Sequence, residues 1–179
     1  FQNGQYLVYL ALSIYGEGDG RIDSEAFLVA LEKASSADLK AEDLPWLAML
    51  QGLAAEFDGQ TEMATAAYQR ALELTDQPML RSHFEGLIMR QRLLASSADE
   101  ALVAELRVKI DQLEGQAAAY PFVREYAVGL YGLGRIDEAT SAIEGELDNT
   151  SAGYSPDERE QLRLLKGIIL GANSETGRN

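Results

Sequence analysis

Apolar residues along this chain recur at the three-to-four spacing of a helix and nowhere alternate over the length of a strand. Read with start and stop signals, the pattern predicts about nine helices, near residues 5–15, 24–34, 44–57, 61–74, 79–94, 99–115, 121–133, 136–147 and 155–170. "DGQT" (58–61) supplies a glycine stop and then Thr61 as an N-cap. "TDQP" (75–78) closes one helix pair and opens the next. Pro121 falls in a first turn, where its missing N–H does no harm. "GLGR" (132–135) is a second glycine turn, and "NTSAGYSPDE" (149–158) is a longer loop that ends in Ser155 as an N-cap before Pro156. Short turns force neighbouring helices to run antiparallel, so the expected class is all-α.

The helix pairs also repeat. In "LQGLAAEFDGQTEMATAAYQRALEL" (50–74), small residues stand where two helices would cross and larger ones where gaps would need filling. Counted from Pro45, Gly52 is the small residue of the first helix and Gly59 the turn glycine. In the second helix Ala64 is the small residue, Tyr68 the bulky filler and Ala71 the closing small residue. Gly86 and Ala98 follow Gly52 and Ala64 at 34 positions, with Leu102 as filler. Gly134, Ala139 and Ile143 repeat the turn, small and filler positions, with Gly134 standing 75 positions after Gly59. The middle unit is therefore stretched, and "DEALVAELRVKIDQLEGQ" (99–116) is the expected place.

This arrangement resembles the tetratricopeptide repeat. More narrowly, the order of segments resembles a bacterial membrane-anchored repeat family that includes the ancillary subunit of the Sec translocon. The narrower likeness rests on "FDGQTEMATAAYQRAL", "DQPMLRSHFEGLIMRQRLL", "SSADEALVAEL", "YPFVREYAVGLYGLGRIDEATSAI" and a closing helix after "YSPDE". It implies a right-handed superhelical stack of antiparallel hairpins, a tetratricopeptide-like solenoid forming one domain over 1–179. Residues 1–44 would be a divergent N-terminal hairpin, 45–78, 79–119 and 120–150 repeat units, and 151–179 a capping helix and tail. It further implies a periplasmic domain tethered to the inner membrane and engaged in translocon or chaperone work; the cytoplasm is the other compartment open to it. The chain opens on Phe1 rather than Met, so we expect a fragment from which an anchoring segment has been left out.

Composition narrows the partners. Hydrophobic residues make up 46% and charged residues 25% of the 179, enough to bury a core. Fifteen basic residues against 29 acidic ones give a net charge of −14, a field that repels nucleic acid and anionic lipid surfaces. Cysteine is absent, which removes thiolate chemistry and disulfides. The apolar run "YLVYLALSIY" (6–15) is too short to span a bilayer and has no basic flank of a signal peptide.

One stretch invites a metal reading. In "GEGDGRIDSEAF" (16–27), placing Gly20 at the sixth position of a calcium loop puts Glu17, Asp19 and Asp23 at ligand positions. The first and twelfth positions are then Tyr15 and Ala26, so both end ligands are lost. The competing reading is a tight hairpin turn, with Gly18 and Gly20 free to take positive φ and Asp23 or Ser24 capping the next helix. A calcium-binding helix-loop-helix over 15–26 is the alternative function. The lone His83 anchors neither a zinc site nor a triad and is expected on a partly buried helix face. Paired acids (Glu42 and Asp43, Asp99 and Glu100, Asp157 and Glu158) fall at helix starts, where they complement the helix dipole. Met49, Met63, Met79 and Met89 are expected in the core, as are most aromatics, with Tyr120, Tyr126 and Tyr131 as candidates to line a peptide groove. No constellation supports catalysis. The sequence therefore reads as a non-catalytic scaffold with a protein or peptide partner, no cofactor, no small-molecule substrate and no catalytic residue.

Overall fold

A computed structural model describes residues 24–96 and 99–176. Those residues form eight α-helices: α1 (Ser24–Ser35), α2 (Leu44–Phe57), α3 (Thr61–Glu73), α4 (Pro78–Ser96), α5 (Glu100–Gln112), α6 (Tyr120–Gly132), α7 (Ile136–Asp148) and α8 (Pro156–Thr176). One-turn 3-10 segments at Ala41–Asp43, Ala117–Ala119 and Thr150–Ala152 enter α2, enter α6 and follow α7. Among the described residues there is no strand. The fold class is all-α, and the predicted helix positions hold to within a few residues, except that α8 continues to Thr176. The helix expected at 5–15 and the small residue Ala98 lie outside the described residues. The chain divides into two compact units, one up to Glu85 and one from Gly86, with the division inside α4.

In the first unit α2 and α3 form an antiparallel hairpin, and its turn shows how the sequence makes it. Gly59 adopts φ +71°, a left-handed conformation open to glycine without steric penalty. Gly59 N–H then donates to the carbonyl of Glu56 at 3.0 Å and Gln60 N–H to that of Ala55 at 2.8 Å. This is a Schellman closure, and it satisfies two carbonyls at the end of α2. It also corrects the expected cap. The residue after the glycine is already the N-cap of α3, so that role falls to Gln60, and Thr61 is the first helical residue. On α3, Ala64, Tyr68 and Ala71 share one face and are fully buried. Tyr68 lies against the backbone at Gly52, where an added Cβ would come within 2.6 Å of the ring Cδ1. Its hydroxyl donates to Glu56 Oε2 at 2.8 Å, which keeps the polar end of a buried ring paired. α1 packs on α2, with Phe27 set edge-on to Phe57 at 6.1 Å.

In the second unit the hairpin α6–α7 closes in the same way. Gly134 adopts φ +75°, Gly134 N–H donates to Tyr131 O and Arg135 N–H donates to Leu130 O, both at 2.9 Å. Ala139 and Ile143 are fully buried, together with Phe122, Ala127, Leu130 and Leu106. α5 packs on α6, and α8 packs on α7 and α6. Asp99 caps α5 by accepting from Ala101 N–H at 2.9 Å. Ser155 and Glu158 form a capping box: Glu158 Oε2 accepts from Ser155 N–H at 2.7 Å, and Ser155 Oγ accepts from Glu158 N–H at 3.2 Å.

One expectation is amended. The extra length of the middle unit lies largely in α4, 19 residues long against 14 for α2, rather than in 99–116. The closing helix α8 leaves part of its apolar surface uncovered. It buries Leu162 and Ile169, but Leu164 and Ile168 stay 59% and 67% exposed.

Candidate binding cleft

Glu17, Asp19 and Asp23, the residues of the calcium alternative, lie outside the described residues. Among the described residues no group of three or more His, Asp or Glu is placed to hold a metal ion. His83 is exposed rather than partly buried, set edge-on to the ring of Phe84 at 5.8 Å. The methionines divide: Met49 and Met89 are core residues, whereas Met63 and Met79 are 62% and 51% exposed. On α3 and α4 the buried face is already occupied by Ala64, Tyr68 and Phe84.

Most of the acidic pairs act at helix starts, but Asp43 does not cap. It is 3% exposed, and its Oδ2 makes no hydrogen bond among the described residues. Of the three candidate groove tyrosines, Tyr120 is buried and bound through its hydroxyl to Gln161 Oε1 at 2.5 Å. Burial raises its pKa above the ordinary phenol value. Tyr126 is half-buried and Tyr131 is 37% exposed. Tyr154 is buried, and burial together with its hydrogen bond to Glu146 raises its pKa further still.

A cleft of about 280 Å³ in the first unit brings together residues from three helices and a linker. Ser35 and Ala37 come from the end of α1 and just beyond it, and Leu39 from the linker. Leu44, Leu47, Ala48 and Gln51 repeat at helical spacing along one face of α2. Arg70 and Leu74 come from the end of α3. The leucines form an apolar wall that is not fully covered: Leu39, Leu44 and Leu47 are half-buried and Leu74 is 38% exposed.

The polar side chains of the lining are Ser35, Gln51 and Arg70. Ser35 Oγ donates to the carbonyl of Leu31 at 2.9 Å and accepts from Gln51 Nε2 at 3.3 Å. Among the described residues no partner is seen for Gln51 Oε1. Arg70 is exposed and makes no ion pair or hydrogen bond among the described residues. The carbonyls at the end of α3 are served instead by Arg81, whose Nη1 donates to Leu72 O and Thr75 O, each at 3.1 Å.

A second cleft, about 400 Å³, lies between α5 and α7 of the second unit. It is rimmed by Asp111, Glu114 and Glu146, over Ile110 and Ala142. Two of these acids are already engaged: Asp111 pairs with Arg107 at 2.9 Å, and Glu146 accepts from Tyr154.

None of the residues lining the first cleft stands out in the sequence as a candidate site residue. The one local signal is Leu39, an isolated apolar residue in the polar run "SSADLKAED" (35–43). Leu44, Leu47, Arg70 and Leu74 look like ordinary helix residues until three helices bring them together. Among the described residues no helix is long and apolar enough to cross a membrane. The chain matches no family model, no curated protein and no solved structure.

Proposed function

We propose that the chain is a non-catalytic interaction scaffold of tetratricopeptide type, a right-handed stack of helix hairpins that docks a polypeptide partner. The observation that carries this reading is the repetition of one turn. Gly59 and Gly134, 75 positions apart, have φ +71° and +75° and the same pair of closing hydrogen bonds. The small residues Ala64 and Ala139 and the fillers Tyr68 and Ile143, each at the same offset from its turn, are all fully buried. A repeated hairpin buries its apolar face only by stacking on neighbours, which is the construction principle of a solenoid. Beside it, the first cleft sets Leu39, Leu44, Leu47 and Leu74 next to Ser35, Gln51 and Arg70, a concave surface that a partner could use. Periplasmic tethering and translocon or chaperone work belong to the same proposal and rest on the order of segments.

Cross-linking with mass spectrometry on the full-length protein in its native membrane tests it. The expected result is a set of cross-links from this chain to one polypeptide partner on the periplasmic side. Cross-links confined to cytoplasmic proteins overturn the compartment, and a chain that is folded yet cross-links to nothing overturns the scaffold.

A further inference from the structure

We infer that the cleft between α5 and α7 takes a lysine side chain of a partner polypeptide, with the partner's main chain laid along α7. The inference rests on the scaffold reading and adds to it one docking surface and its chemistry.

The charge of this cleft is one-sided. Asp111, Glu114 and Glu146 line it, and Arg107, the basic residue of the lining, already pairs with Asp111 at 2.9 Å. Glu114 is exposed and makes no ion pair or hydrogen bond among the described residues. Under this rim lie Ile110 and Ala142, in a space of about 400 Å³. An acidic rim over an apolar floor complements lysine. Its four-carbon stem packs on apolar surface while the ammonium stays at the edge. A bare metal ion would leave the floor uncovered, and among the described residues no group of acids is placed to hold one.

Gly145 gives the partner's main chain its place. It lies inside α7 without positive φ, and a Cβ added to it would meet nothing within 4 Å. Gly52, by contrast, makes room for the Tyr68 ring. A glycine inside a helix is less favourable than alanine, and no contact among the described residues requires Gly145. With Ser141 one turn before it, Gly145 leaves α7 a low wall that another backbone can approach. Asn149 separates a peptide from a polyamine. Its Oδ1 accepts from Ser151 N–H at 3.2 Å and from Ser151 Oγ at 2.6 Å, and no partner is seen for Nδ2 among the described residues. A peptide carbonyl can accept from Nδ2, whereas a polyamine at neutral pH carries donors alone.

The test is an NMR titration of the ¹⁵N-labelled full chain with three probes: the acetylated, amidated peptide Ala-Lys-Ala, the same peptide with norleucine in place of lysine, and spermidine. The lysine peptide should give saturable shifts at Ser141, Gly145 and the Asn149 side-chain amide. The norleucine peptide keeps the stem and loses the charge, and should bind at least about fivefold more weakly. Glu114→Gln should weaken the lysine peptide about threefold and leave the norleucine peptide unchanged. Gly145→Leu fills the wall and should abolish saturable binding. The urea midpoint of that variant should hold or rise, because its side chain enters open space and leucine is the better helix former. Equal binding of the two peptides, spermidine binding as tightly as the lysine peptide, Gly145→Leu binding like the parent, or no shifts up to about 10 mM peptide each overturns the inference. Peptide shifts confined to other surfaces also overturn it, but leave the scaffold reading standing. That reading fails separately, in the cross-linking experiment.

Discussion

Gly59 and Gly134 lead the backbone along the same path, yet the helix crossings beside those two turns are filled by different side chains. After each glycine the next residue becomes the cap of the following helix, with φ −90° and ψ 70° at Gln60 and φ −88° and ψ 60° at Arg135. In the hairpin α2–α3 the crossing pairs Gly52 with Tyr68, a residue without a side chain under a large ring. The positions at the same offset in α6–α7 are Ala127 and Ile143, both fully buried. The larger residue has become smaller where the smaller has become larger. The turn is fixed by one residue's conformational freedom, while the crossing conserves a summed volume. Each prediction below tests one side of that division.

The largest effect belongs to the ring. Tyr68→Ala should destabilise the chain by about 3–5 kcal/mol, as expected for a fully buried aromatic, and Ile143→Ala by about 2–5 kcal/mol. Urea unfolding followed by circular dichroism measures both. Trp46, the single tryptophan, lies in the first unit with its ring 6.3 Å from that of Phe84. Its fluorescence should therefore follow the Tyr68 variant closely.

Gly52→Leu and Ala64→Leu should each overpack the crossing by about 1–3 kcal/mol. If neither moves the midpoint, the repeat register is wrong. A double-mutant cycle sharpens this test. Alone, Gly52→Ala should destabilise, because the contact with the Tyr68 ring outweighs the helix-propensity gain of about 1 kcal/mol. In a Tyr68→Ile background, which reproduces the Ala127 and Ile143 pair, the ring is gone and the same substitution should stabilise. A change of sign shows compensation within the pair, and additive effects refute it.

The turn glycines come next. An added Cβ at Gly59 or Gly134 meets nothing within 4 Å, so Gly→Ala there tests backbone conformation without packing. Each substitution should lose about 1–2 kcal/mol, the steric penalty of left-handed backbone with a side chain, and the two losses should match. A marked inequality would mean that the turns are held by different forces.

Much of this was legible in the sequence because it is local. Glycine stops, the Ser155 cap, Pro121 and the 3.6-residue apolar period each act within one or two turns of chain, and the helices fall where these signals put them. Gly52 and Tyr68 were legible as a pair because the repeat supplies the offset. The first cleft was not. Its wall draws one leucine from a linker, two from α2 and one from the end of α3, and no local period joins them. Arg70 stands in the last turn of α3, where a basic side chain would be expected to serve the helix dipole. Only the structure shows that Arg81 has taken that role. Met63 and Met79 were misread for a related reason. Spacing shows that a residue shares a face, but not whether another helix covers that face.

A smaller effect should appear at high pH and in the second unit. Tyr154 and Tyr120 have pKa values raised by burial, and in Tyr154 the hydrogen bond to Glu146 raises it further. The folded state therefore holds its phenol protons where the unfolded state releases them. Below the unfolded phenol pKa of about 10 the two states bind protons equally and this contribution is fully present. As the pH rises past about 10, the unfolded state gains by ionising and stability falls. Tyr154→Phe should lower stability by about 0.5–1.5 kcal/mol at neutral pH, the net value of one hydrogen bond, and should flatten the alkaline fall. Urea midpoints between pH 8 and 11 check both, and an unchanged alkaline slope would assign the fall to other groups.

The smallest effect should come from the residue that most visibly distinguishes the two turns. Arg135 replaces Gln60 and binds Glu138 through Nη2 at 2.6 Å and Glu100 through Nη1 at 2.9 Å. The hydrogen bond from Arg135 lowers the pKa of Glu138. All three side chains face water, with Arg135 34%, Glu138 55% and Glu100 68% exposed. In that setting the Coulomb attraction is offset by the entropy of ordering long side chains and by salt. The backbone bonds of the turn, Gly134 N–H to Tyr131 O and Arg135 N–H to Leu130 O, do not involve the side chain. Arg135→Gln should therefore convert the second turn into the first with no measurable shift of the urea midpoint at about 0.15 M salt, and at most a slight loss at low salt. A loss as large as that of Gly134→Ala would show that the second turn depends on its ion pairs, and the two hairpins would then share a shape without sharing a cause.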